Sequence, residues 1–186
     1  MSIQSKAAFI DRDGVINEER NYVHLIEDFV LLPGVVEGLI LLQDAGYLLI
    51  IVTNQAGIAR GYYDKATLDK LHDHLRELLA ERSVTIDAVY FCPHHPKGSI
   101  TELAIDCECR KPAPGMLLQA AHDYNLDLAA SVLIGDKLSD LQAGKRAGVG
   151  RNVLVQSGHQ VTSATRAEAD LVAVDLLAAV YALVKF

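Results

Sequence analysis

Cysteine is scarce in this chain, and every cysteine lies within one short stretch. The only cysteines among the 186 residues are Cys92, Cys107 and Cys109. So few cysteines suit a reducing compartment better than a disulfide framework. No apolar run is long enough to cross a bilayer, and the first residues contain no cleavable signal pattern. Acidic residues also outnumber basic ones: 24 Asp and Glu against 17 Lys and Arg give a formal net charge of −7. We therefore expect a cytoplasmic protein whose main partner is neither nucleic acid nor a membrane.

What the sequence does contain is an alternation of short apolar runs with segments of helical periodicity. Continuous apolar runs predict strands at residues 7–10, 47–52, 87–92, 131–135 and 152–155. Apolar residues at helical spacing predict helices at residues 34–46, 64–82, 113–125, 139–148 and 174–186. Near-continuous apolar strands separated by helices favour an α/β fold with a doubly wound, mostly parallel sheet that is covered on both faces.

The length of the chain and the spacing of its elements predict one domain. A chain of 186 residues can bury one sizeable core but not two large ones. We expect a single domain over residues 1–186, with a loop at residues 92–110 that contains the cysteines. Residues 93–113 are the one stretch without clear periodicity, and loops of that length are usually functional or disordered. No long insertion separates Asp13, Thr53 and Lys111, so no separate cap domain is expected. The sequence shows no heptad pattern, and a monomer is the simplest expectation.

Polar residues follow three of the predicted strands at the points where those strands end. Asp11 and Asp13 follow the first strand, Thr53 follows the second, and Asp136 follows the fourth. The carboxyl ends of parallel strands share one edge of a doubly wound sheet, so these side chains should meet there. Clustered carboxylates repel one another, and oxygen ligands suit Mg²⁺, so the pattern predicts a magnesium site. Lys111, just before a helix that begins with proline, can reach the same place.

This constellation suits transfer of a phosphoryl group to a carboxylate. One carboxylate can attack phosphorus once Mg²⁺ and Lys111 neutralise the phosphate oxygens, which forms an aspartyl-phosphate. A second carboxylate two residues later can protonate the leaving alkoxide and then activate water. Each residue also has a plainer interpretation, since aspartate is common in turns and lysine is usually solvated. Thr53 can cap a helix, as can Asp136 and Asp140. The ordered combination of these motifs favours catalysis.

The loop that contains the cysteines also contains histidines. The potential metal ligands are Cys92, Cys107, Cys109 and either His94 or His95. Three thiolates and one imidazole complete the tetrahedral ligand set of a structural zinc ion. Free cysteines can also pack as small hydrophobes or act in redox chemistry, but this loop has few apolar residues to bury them. A zinc ion here would stabilise a loop that lacks a core, and would thereby position Arg110 and Lys111.

The ordered set of strand-DxDG, strand-TN, KP before a helix and strand-GDxxxD resembles the haloacid dehalogenase superfamily of aspartate-nucleophile phosphohydrolases. The resemblance extends over nearly the whole chain and implies that Asp11 is the nucleophile and Asp13 the general acid and base. It implies that Thr53 and Lys111 hold the phosphoryl group, and that Asp140 holds Lys111 from behind. The Mg²⁺ ligands that it implies are Asp11, the backbone carbonyl of Asp13, and Asp136.

Within the superfamily, the segments YVH, VTNQAGIARG, CPHHP, CECRKP and GDKLSD resemble a zinc-containing subgroup that includes histidinol-phosphate phosphatases. The resemblance favours His94 as the zinc-binding histidine. It is closest to members that act on a sugar bisphosphate, and implies removal of the 7-phosphate of D-glycero-D-manno-heptose 1,7-bisphosphate for lipopolysaccharide or another surface glycan. The substrate contacts that it implies are Arg12, Glu19, Arg20, Asn21, Tyr22, Asn54, Gln55, Ala56, Arg110 and Lys137.

Two of these contacts favour a bisphosphate over a monophosphate. A second phosphate needs a cation away from the reaction centre, and Arg110 and Lys137 can supply one, arginine through a bidentate fork. Histidinol phosphate is the alternative substrate, and a catalytically inactive, zinc-stabilised binding domain is the alternative of another class. His72 and His74, which lie among charged residues on a predicted helix, are expected to be solvated. The histidines without an assigned role are His72, His74, His95, His122 and His159.

Overall fold

The computed structural model describes residues 4–184, in which six strands form one sheet. The strands are β1 (Lys6–Ile10), β2 (Tyr47–Asn54), β3 (Ala88–Cys92), β4 (Val132–Gly135), β5 (Arg151–Val155) and β6 (Leu171–Ala173). Their order across the sheet is β3-β2-β1-β4-β5-β6, and all neighbouring pairs are parallel. The chain builds the sheet outward from β1 to β3 and then continues on the other side of β1. This is the doubly wound topology that the apolar pattern predicts.

Helices connect the strands on both sides of the sheet. They are α1 (Val35–Asp44), α2 (Ala56–Ala59), α3 (Lys65–Ala80), α4 (Gly115–Tyr124), α5 (Leu138–Ala147), α6 (Ser163–Ala167) and α7 (Leu176–Leu183). Asp64 caps α3 by accepting a hydrogen bond from Thr67 N at 2.8 Å, which satisfies a donor that the first turn leaves open. Within residues 4–184, no helix combines the length and the apolar character that crossing a membrane requires.

Two hydrophobic layers cover the sheet, one on each face. Along β1, Ala8 and Ile10 face one layer, whereas Ala7 and Phe9 face the other, as the two-residue period of a strand requires. Apolar side chains of α1, α3 and α7 belong to the first layer, and those of α4 and α5 to the second. Because the central strands are buried on both faces, their apolar runs are continuous.

The structure contains three short elements that the apolar pattern did not predict: α2, α6 and β6. Each has three to five residues, too few to show a period. β2 also continues two residues beyond its predicted end, because Thr53 and Asn54 lie opposite Phe91 and Cys92 of β3. The strand, rather than a flexible turn, therefore holds both polar side chains at the edge of the sheet.

The predicted closing helix is shorter than its apolar pattern, since α7 begins at Leu176. The last two residues of that prediction, 185–186, lie outside the described part of the chain.

The aperiodic loop after β3 has little regular structure apart from a 3₁₀ turn at Thr101–Leu103. Backbone hydrogen bonds attach it to the end of α2: the amides of Ser99 and Ile100 donate to Ala59 O at 2.7 and 2.9 Å. Between β1 and β2, and between β2 and this loop, the described residues form no additional sheet that could act as a cap domain. The carboxyl edge of the sheet is therefore bordered by loops.

Candidate active site

The order of the strands reverses between β1 and β4, and the ends of these two strands bring Asp11 and Asp136 together. The amide of Asp11 donates to Ile134 O of β4 at 3.0 Å, which continues the β1–β4 pairing into the site. Both carboxylates are buried, with exposures of 5% and 1%. A reversal of this kind leaves a crevice at the carboxyl ends of the strands, where ligands of doubly wound sheets bind.

Lys111 lies in the centre of this crevice. Its Nζ is 3.0 Å from Asp11 Oδ1 and 2.7 Å from Asp140 Oδ1, and it donates to Val52 O at 2.8 Å. Burial by itself would lower the pKa of the ammonium, but the carboxylates of Asp11 and Asp140 outweigh burial and raise that pKa. The lysine is therefore a permanent buried cation, held from behind by Asp140.

Asp140 is fixed on its other side as well. Its Oδ2 accepts a hydrogen bond from Lys137 N at 2.9 Å, at the start of α5. Asp140 is thus the third residue of a capping box at the start of α5, and the same side chain also holds Lys111. Because the Asp140 carboxylate both accepts a hydrogen bond at the start of α5 and pairs with Lys111, it points toward the edge of the sheet rather than into solvent.

The acidic groups at this edge have the arrangement of a cation site. One carboxylate oxygen from each of Asp11, Asp136 and Asp140 lies within 4.8 Å of the others. Burial, followed by the neighbouring charge of Asp11, raises the pKa of Asp136. Asp136 Oδ2 accepts hydrogen bonds from the amide and Nδ1 of His159 at 2.9 and 2.7 Å. Asp136 Oδ1 is buried without a hydrogen-bond partner in the described chain, as a metal-binding oxygen would be, so these residues fit Mg²⁺.

The backbone around Asp136 leaves no room for larger residues. A Cβ at Gly14 or Gly158 would meet Asp136 Oδ2 at 2.4 or 2.0 Å. Gly14 also has a φ of 86°, in the left-handed region that glycine adopts without strain. The two glycines let the loops after β1 and β5 pack closely against Oδ2 of Asp136.

Asp13 lies beside this cluster and is held by a separate set of donors. Its oxygens accept hydrogen bonds from Asn17 Nδ2 and Gln55 Nε2, both at 3.0 Å, and Arg12 NH2 binds both oxygens at 2.8 and 2.9 Å. Burial by itself would raise the pKa of Asp13, but the Arg12 guanidinium and these hydrogen bonds outweigh it and lower that pKa. Asp13 is therefore a carboxylate at neutral pH in the free protein.

Gln55 connects Asp13 to the end of β2. Its Nε2 donates to Thr53 Oγ1 at 2.9 Å as well as to Asp13 Oδ2, and its Oε1 accepts a hydrogen bond from Tyr63 OH at 2.6 Å. Hydrogen bonds therefore hold both the nitrogen and the oxygen of the Gln55 side-chain amide, which keeps Thr53 and Asp13 at a fixed separation.

Most of these residues line the floor of a cavity of about 510 Å³, but Asp136 is not among the lining residues. Most of the predicted contacts line it: Asp11, Asp13, Glu19, Asn21, Tyr22, Thr53, Asn54, Gln55, Ala56, Arg110, Lys111, Lys137 and Asp140. The backbones of Asn21 and Tyr22 are left-handed, with φ of 57° and 62°. Such values are uncommon outside glycine and concentrate at functional positions. The structure thus brings together residues from four separate parts of the chain.

Two predicted substrate contacts do not line the cavity. Arg12 was predicted to lie on the substrate surface, but this is wrong because its side chain is fully buried at 0% exposure and its donors are directed at protein groups. Arg20 lies at the surface and pairs with Glu18 at 2.6 Å. Arg12 stands between Asp11 and Asp13, but its side chain is directed into the protein interior.

Sequence reasoning missed several residues that do line the cavity: Arg60, Tyr63, His95, Pro112, Ser139 and His159. Arg60 lies in the GIARG segment, which was singled out without a role for its arginine. Its guanidinium carbon is 6.0 Å from the centre of the Tyr22 ring, and its Nε is buried without a partner among the described residues. Arg60, Arg110 and Lys137 therefore place three cations around a cavity whose floor is acidic.

The expectation that His72 is solvated is wrong. His72 is 4% exposed, and its Nε2 lies 3.2 Å from Arg12 NH1. It stands four residues after Leu68 and three before Leu75 on α3, both of which are fully buried. This helical spacing was the signal that the charged neighbours obscured. His74 is half-buried against Phe29, and His122 is exposed.

We predict that His72 makes the protein less stable in mild acid. Burial, followed by the charge of Arg12, lowers the pKa of His72 from 6.5 to about 3. Between these values the unfolded chain binds a proton that the folded chain does not, so stability falls as pH falls. From pH 7 to pH 5 this effect should amount to about 2 kcal/mol.

Urea unfolding at the two pH values, for the wild type and for His72→Gln, measures this difference. The wild type should lose about 2 kcal/mol more than the variant, because glutamine does not titrate. Equal losses in both proteins would contradict the prediction.

The cysteine cluster lies beside the cavity. The three thiol sulfurs are separated by 3.1, 3.2 and 3.5 Å, and Nδ1 of His94 is 3.4 Å from Cys109 Sγ and 3.8 Å from Cys92 Sγ. All four ligand atoms lie within 4.8 Å of one another. Sulfurs bound to zinc at about 2.3 Å are separated by slightly less than 4 Å in a tetrahedron. The cluster is therefore compatible with a zinc-binding loop, with His94 rather than His95 facing the thiols.

The cluster is connected to the cavity through Arg110 and Lys111. Arg110 NH1 donates to the carbonyl oxygen of His94 at 3.1 Å. Asn54 exchanges two hydrogen bonds of 3.0 Å with the backbone N and O of Lys111. The position of the Arg110 guanidinium thus depends on a histidine of the cluster, whereas β2 holds the Lys111 backbone.

The fold and the sequence both have clear relatives. Residues 108–179 match the family model described as HAD-hydrolase-like. The D-glycero-alpha-D-manno-heptose-1,7-bisphosphate 7-phosphatase of Photorhabdus laumondii is 51% identical over 160 residues, which cover 86% of this chain and 87% of the relative. The D-glycero-beta-D-manno-heptose-1,7-bisphosphate 7-phosphatase of Yersinia pestis is 47% identical over 89% of this chain and 88% of its own.

A solved structure with the same architecture is that of the D,D-heptose 1,7-bisphosphate phosphatase of B. bronchiseptica complexed with magnesium and phosphate. It is 36% identical, covers 96% of this chain and 97% of its own, and has a TM-score of 0.82. Identity at this level over most of the chain, on a shared fold, reaches well beyond the motifs at the strand ends. The chain therefore belongs to the D-glycero-D-manno-heptose-1,7-bisphosphate 7-phosphatase family of the haloacid dehalogenase superfamily.

Proposed function

We propose that the protein hydrolyses the 7-phosphate of D-glycero-D-manno-heptose 1,7-bisphosphate in a magnesium-dependent reaction with an aspartyl-phosphate intermediate. The observation that carries this proposal is a single cavity that combines an acidic floor around Lys111 with three further cations, Arg60, Arg110 and Lys137. The floor suits the phosphate that reacts, and the cations suit a second phosphate that does not. The family membership supports the same substrate.

Asp11 is the proposed nucleophile. Its Oδ1 is occupied by Arg12 N at 2.9 Å and Lys111 Nζ at 3.0 Å, so Oδ2 is the oxygen that attacks phosphorus. A new Oδ2–P bond forms while the bond from phosphorus to the sugar oxygen breaks. Lys111 and Thr53 hold the phosphoryl oxygens as negative charge moves among them.

Asp13 is the proposed general acid and base. Because its pKa is lowered, it must first receive the proton that it donates. A phosphate monoester has a second pKa of about 6, so part of the substrate arrives with one proton on the phosphate. That proton can pass to Asp13 and then to the leaving sugar oxygen. The regenerated carboxylate next takes a proton from water, which attacks the aspartyl-phosphate and releases phosphate.

Asp11, Asp136 and the backbone carbonyl of Asp13 would hold Mg²⁺. The unpaired Oδ1 of Asp136 and the raised pKa values of Asp11 and Asp136 support this assignment. When bound, the cation neutralises the carboxylates and withdraws charge from the phosphate oxygens. Asp140 is not needed as a ligand because its oxygens already bind Lys111 and the amide of Lys137.

The zinc cluster is proposed to be structural. Three thiolates and one imidazole occupy all four coordination positions of a tetrahedral zinc ion and leave none for water. Its contribution to the reaction would be indirect, through the hydrogen bond from Arg110 to His94 O.

The product, heptose 1-phosphate, would then serve the synthesis of a nucleotide-activated heptose for lipopolysaccharide or another surface glycan. We propose a cytoplasmic monomer of one domain for this role.

Phosphate release from the bisphosphate and from histidinol phosphate, measured side by side with Mg²⁺, tests the proposal. The α and β anomers are assayed separately, because relatives named for each anomer are similar to this chain. A clear preference for either anomer of the bisphosphate supports the proposal. A preference for histidinol phosphate would keep the chemistry and overturn the substrate. Release from no substrate would overturn the enzymatic function.

Replacing Arg110 by methionine should selectively weaken use of the bisphosphate. An arginine–phosphate hydrogen bond contributes about 1.5–3 kcal/mol, so kcat/KM for the bisphosphate should fall about 10- to 100-fold. For p-nitrophenyl phosphate, which has no second phosphate, kcat/KM should change by less than about threefold. Arg151→Met is the matched control, because Arg151 is exposed at the start of β5, at the opposite edge of the sheet. Equal losses with both substrates would contradict the assigned role.

A further inference from the structure

Arg12 and His72 form a buried contact that the proposed mechanism does not use. Arg12 is completely buried and His72 is 4% exposed. Arg12 lies two residues after the end of β1, and His72 lies in the middle of α3. Arg12 NH1 lies 3.2 Å from His72 Nε2. A buried arginine is rare and requires a partner for each of its donors.

The other two nitrogens of the Arg12 guanidinium also have partners. Nε and NH2 bind Asp13 Oδ1 at 3.2 and 2.8 Å, and NH2 also binds Asp13 Oδ2 at 2.9 Å. NH2 donates in addition to Val23 O at 2.7 Å. Among the described residues, His72 is therefore the group that holds NH1, and together with Asp13 and Val23 O it fixes the plane of the guanidinium.

The chemistry of the two groups fixes the direction of this hydrogen bond. A guanidinium has only donors, so His72 Nε2 must be the acceptor and the imidazole must carry its single proton on Nδ1. The lowered pKa of His72 agrees with a neutral ring. The ring of Phe91 on β3 lies beside the imidazole, with the two ring centres 6.1 Å apart. His72 is thus a fixed acceptor behind Arg12, outside the residues that line the cavity.

We infer that His72 is a positioning residue for Asp13: it fixes the guanidinium of Arg12, which in turn holds the Asp13 carboxyl group in the orientation needed to protonate the leaving oxygen. This inference rests on the proposed role of Asp13. Removal of the acceptor would leave a buried NH1 donor without a partner, which is costly. The guanidinium would then turn toward another acceptor, and Asp13 would turn with it.

A comparison of two leaving groups separates this role from a structural one. A sugar alkoxide needs a proton to leave, whereas p-nitrophenolate is a stable anion that does not. Since kcat/KM reports the steps up to formation of the aspartyl-phosphate, its ratio for the two substrates measures protonation of the leaving group. A general loss of fold or of metal binding would lower both values and leave the ratio unchanged.

The test uses His72→Leu, which removes the acceptor, and His72→Gln, whose amide oxygen can replace Nε2. His72→Leu should lower kcat/KM for the bisphosphate about 30-fold and for p-nitrophenyl phosphate less than about threefold, so the ratio falls about tenfold. KM for the bisphosphate should stay within about twofold, because His72 does not touch the cavity. His72→Gln should restore the ratio to within about threefold of the wild type. His74→Leu, two residues away on the same helix, is the control and should leave the ratio unchanged.

The outcomes distinguish the inference from the function on which it rests. Asp13→Asn should lower the same ratio, and if it does not, the acid role of Asp13 fails and the inference fails with it. If Asp13→Asn lowers the ratio and His72→Leu does not, the inference alone is overturned. An equal loss with both substrates in His72→Leu would also overturn it. Should the leucine variant fail to fold, His72→Asn, whose amide is too short to reach Arg12, takes its place under the same criteria.

Discussion

Asp11→Asn should lower phosphate release from heptose bisphosphate by a factor on the order of a thousand or more, because the variant lacks the nucleophile. The amide keeps an oxygen that can accept from Arg12 N and Lys111 Nζ, which bind Asp11 Oδ1 at 2.9 and 3.0 Å. It cannot form a stable bond to phosphorus, however. Burial and the nearby carboxylates disfavour a charge at this position, so the variant should fold at least as stably as the wild type.

Two measurements check this result. Rapid acid quenching during turnover, followed by peptide mass analysis, should find a phosphoryl group on the peptide that contains Asp11 in the wild type and none in Asp11→Asn. Asp44→Asn is the matched control, because Asp44 is exposed at the end of α1, and it should retain full activity. An Asp11→Asn protein that keeps a tenth of the wild-type activity would contradict the assignment of the nucleophile.

The second large effect is expected from Cys107→Ser. In the proposed zinc site Cys107 supplies one of four ligands, and the binding energy of a structural zinc ion is also folding energy, of order 10 kcal/mol for a complete site. The variant should lose its zinc and unfold at a lower temperature. Without the cluster, the carbonyl oxygen of His94 no longer holds Arg110. We therefore expect kcat/KM for the bisphosphate to fall about 100-fold, at the upper end of the loss expected when an arginine–phosphate contact is removed.

The loss with p-nitrophenyl phosphate should be smaller. Asp11 and Asp136 directly follow β1 and β4, and Asn54 of β2 holds the Lys111 backbone, so the reaction centre does not depend on the loop alone. Metal analysis, thermal unfolding and kinetics with both substrates test this expectation. Glu108→Gln, an exposed change between two of the cysteines, should alter none of them. A zinc-free Cys107→Ser protein with full activity on the bisphosphate would show that the cluster does not position Arg110.

Taken together, the two predictions separate the parts of the site. Asp11→Asn should remove the chemistry with every substrate and leave the zinc in place. Cys107→Ser should remove the zinc and chiefly impair recognition of the second phosphate. If both variants lose activity equally with both substrates, the cavity does not divide into a reacting floor and a recognising wall, and the proposed function would need a different account of specificity.

The sequence by itself determined the sheet and the identity of the residues at its edge. Strands that are buried on both faces must be apolar along their whole length, and parallel strands in a doubly wound sheet must end at the same edge. The positions of Asp11, Thr53 and Asp136 follow from these two rules. The spacing of the cysteines likewise predicted a cluster of metal-ligating side chains, and the structure brings the three thiols and His94 together.

Only the tertiary structure decided which side chains face the cavity and which support it from behind. Arg12 lies between two residues of the site, yet it is buried and directed at His72, which is 60 residues away in the chain. His159 binds Asp136 from a loop without a recognisable pattern. Local periodicity reports the face of a helix or strand, but contacts of this kind depend on how α3 and the loop after β5 pack against the sheet. That packing is set by all the side chains of the core at once, and no short segment contains it.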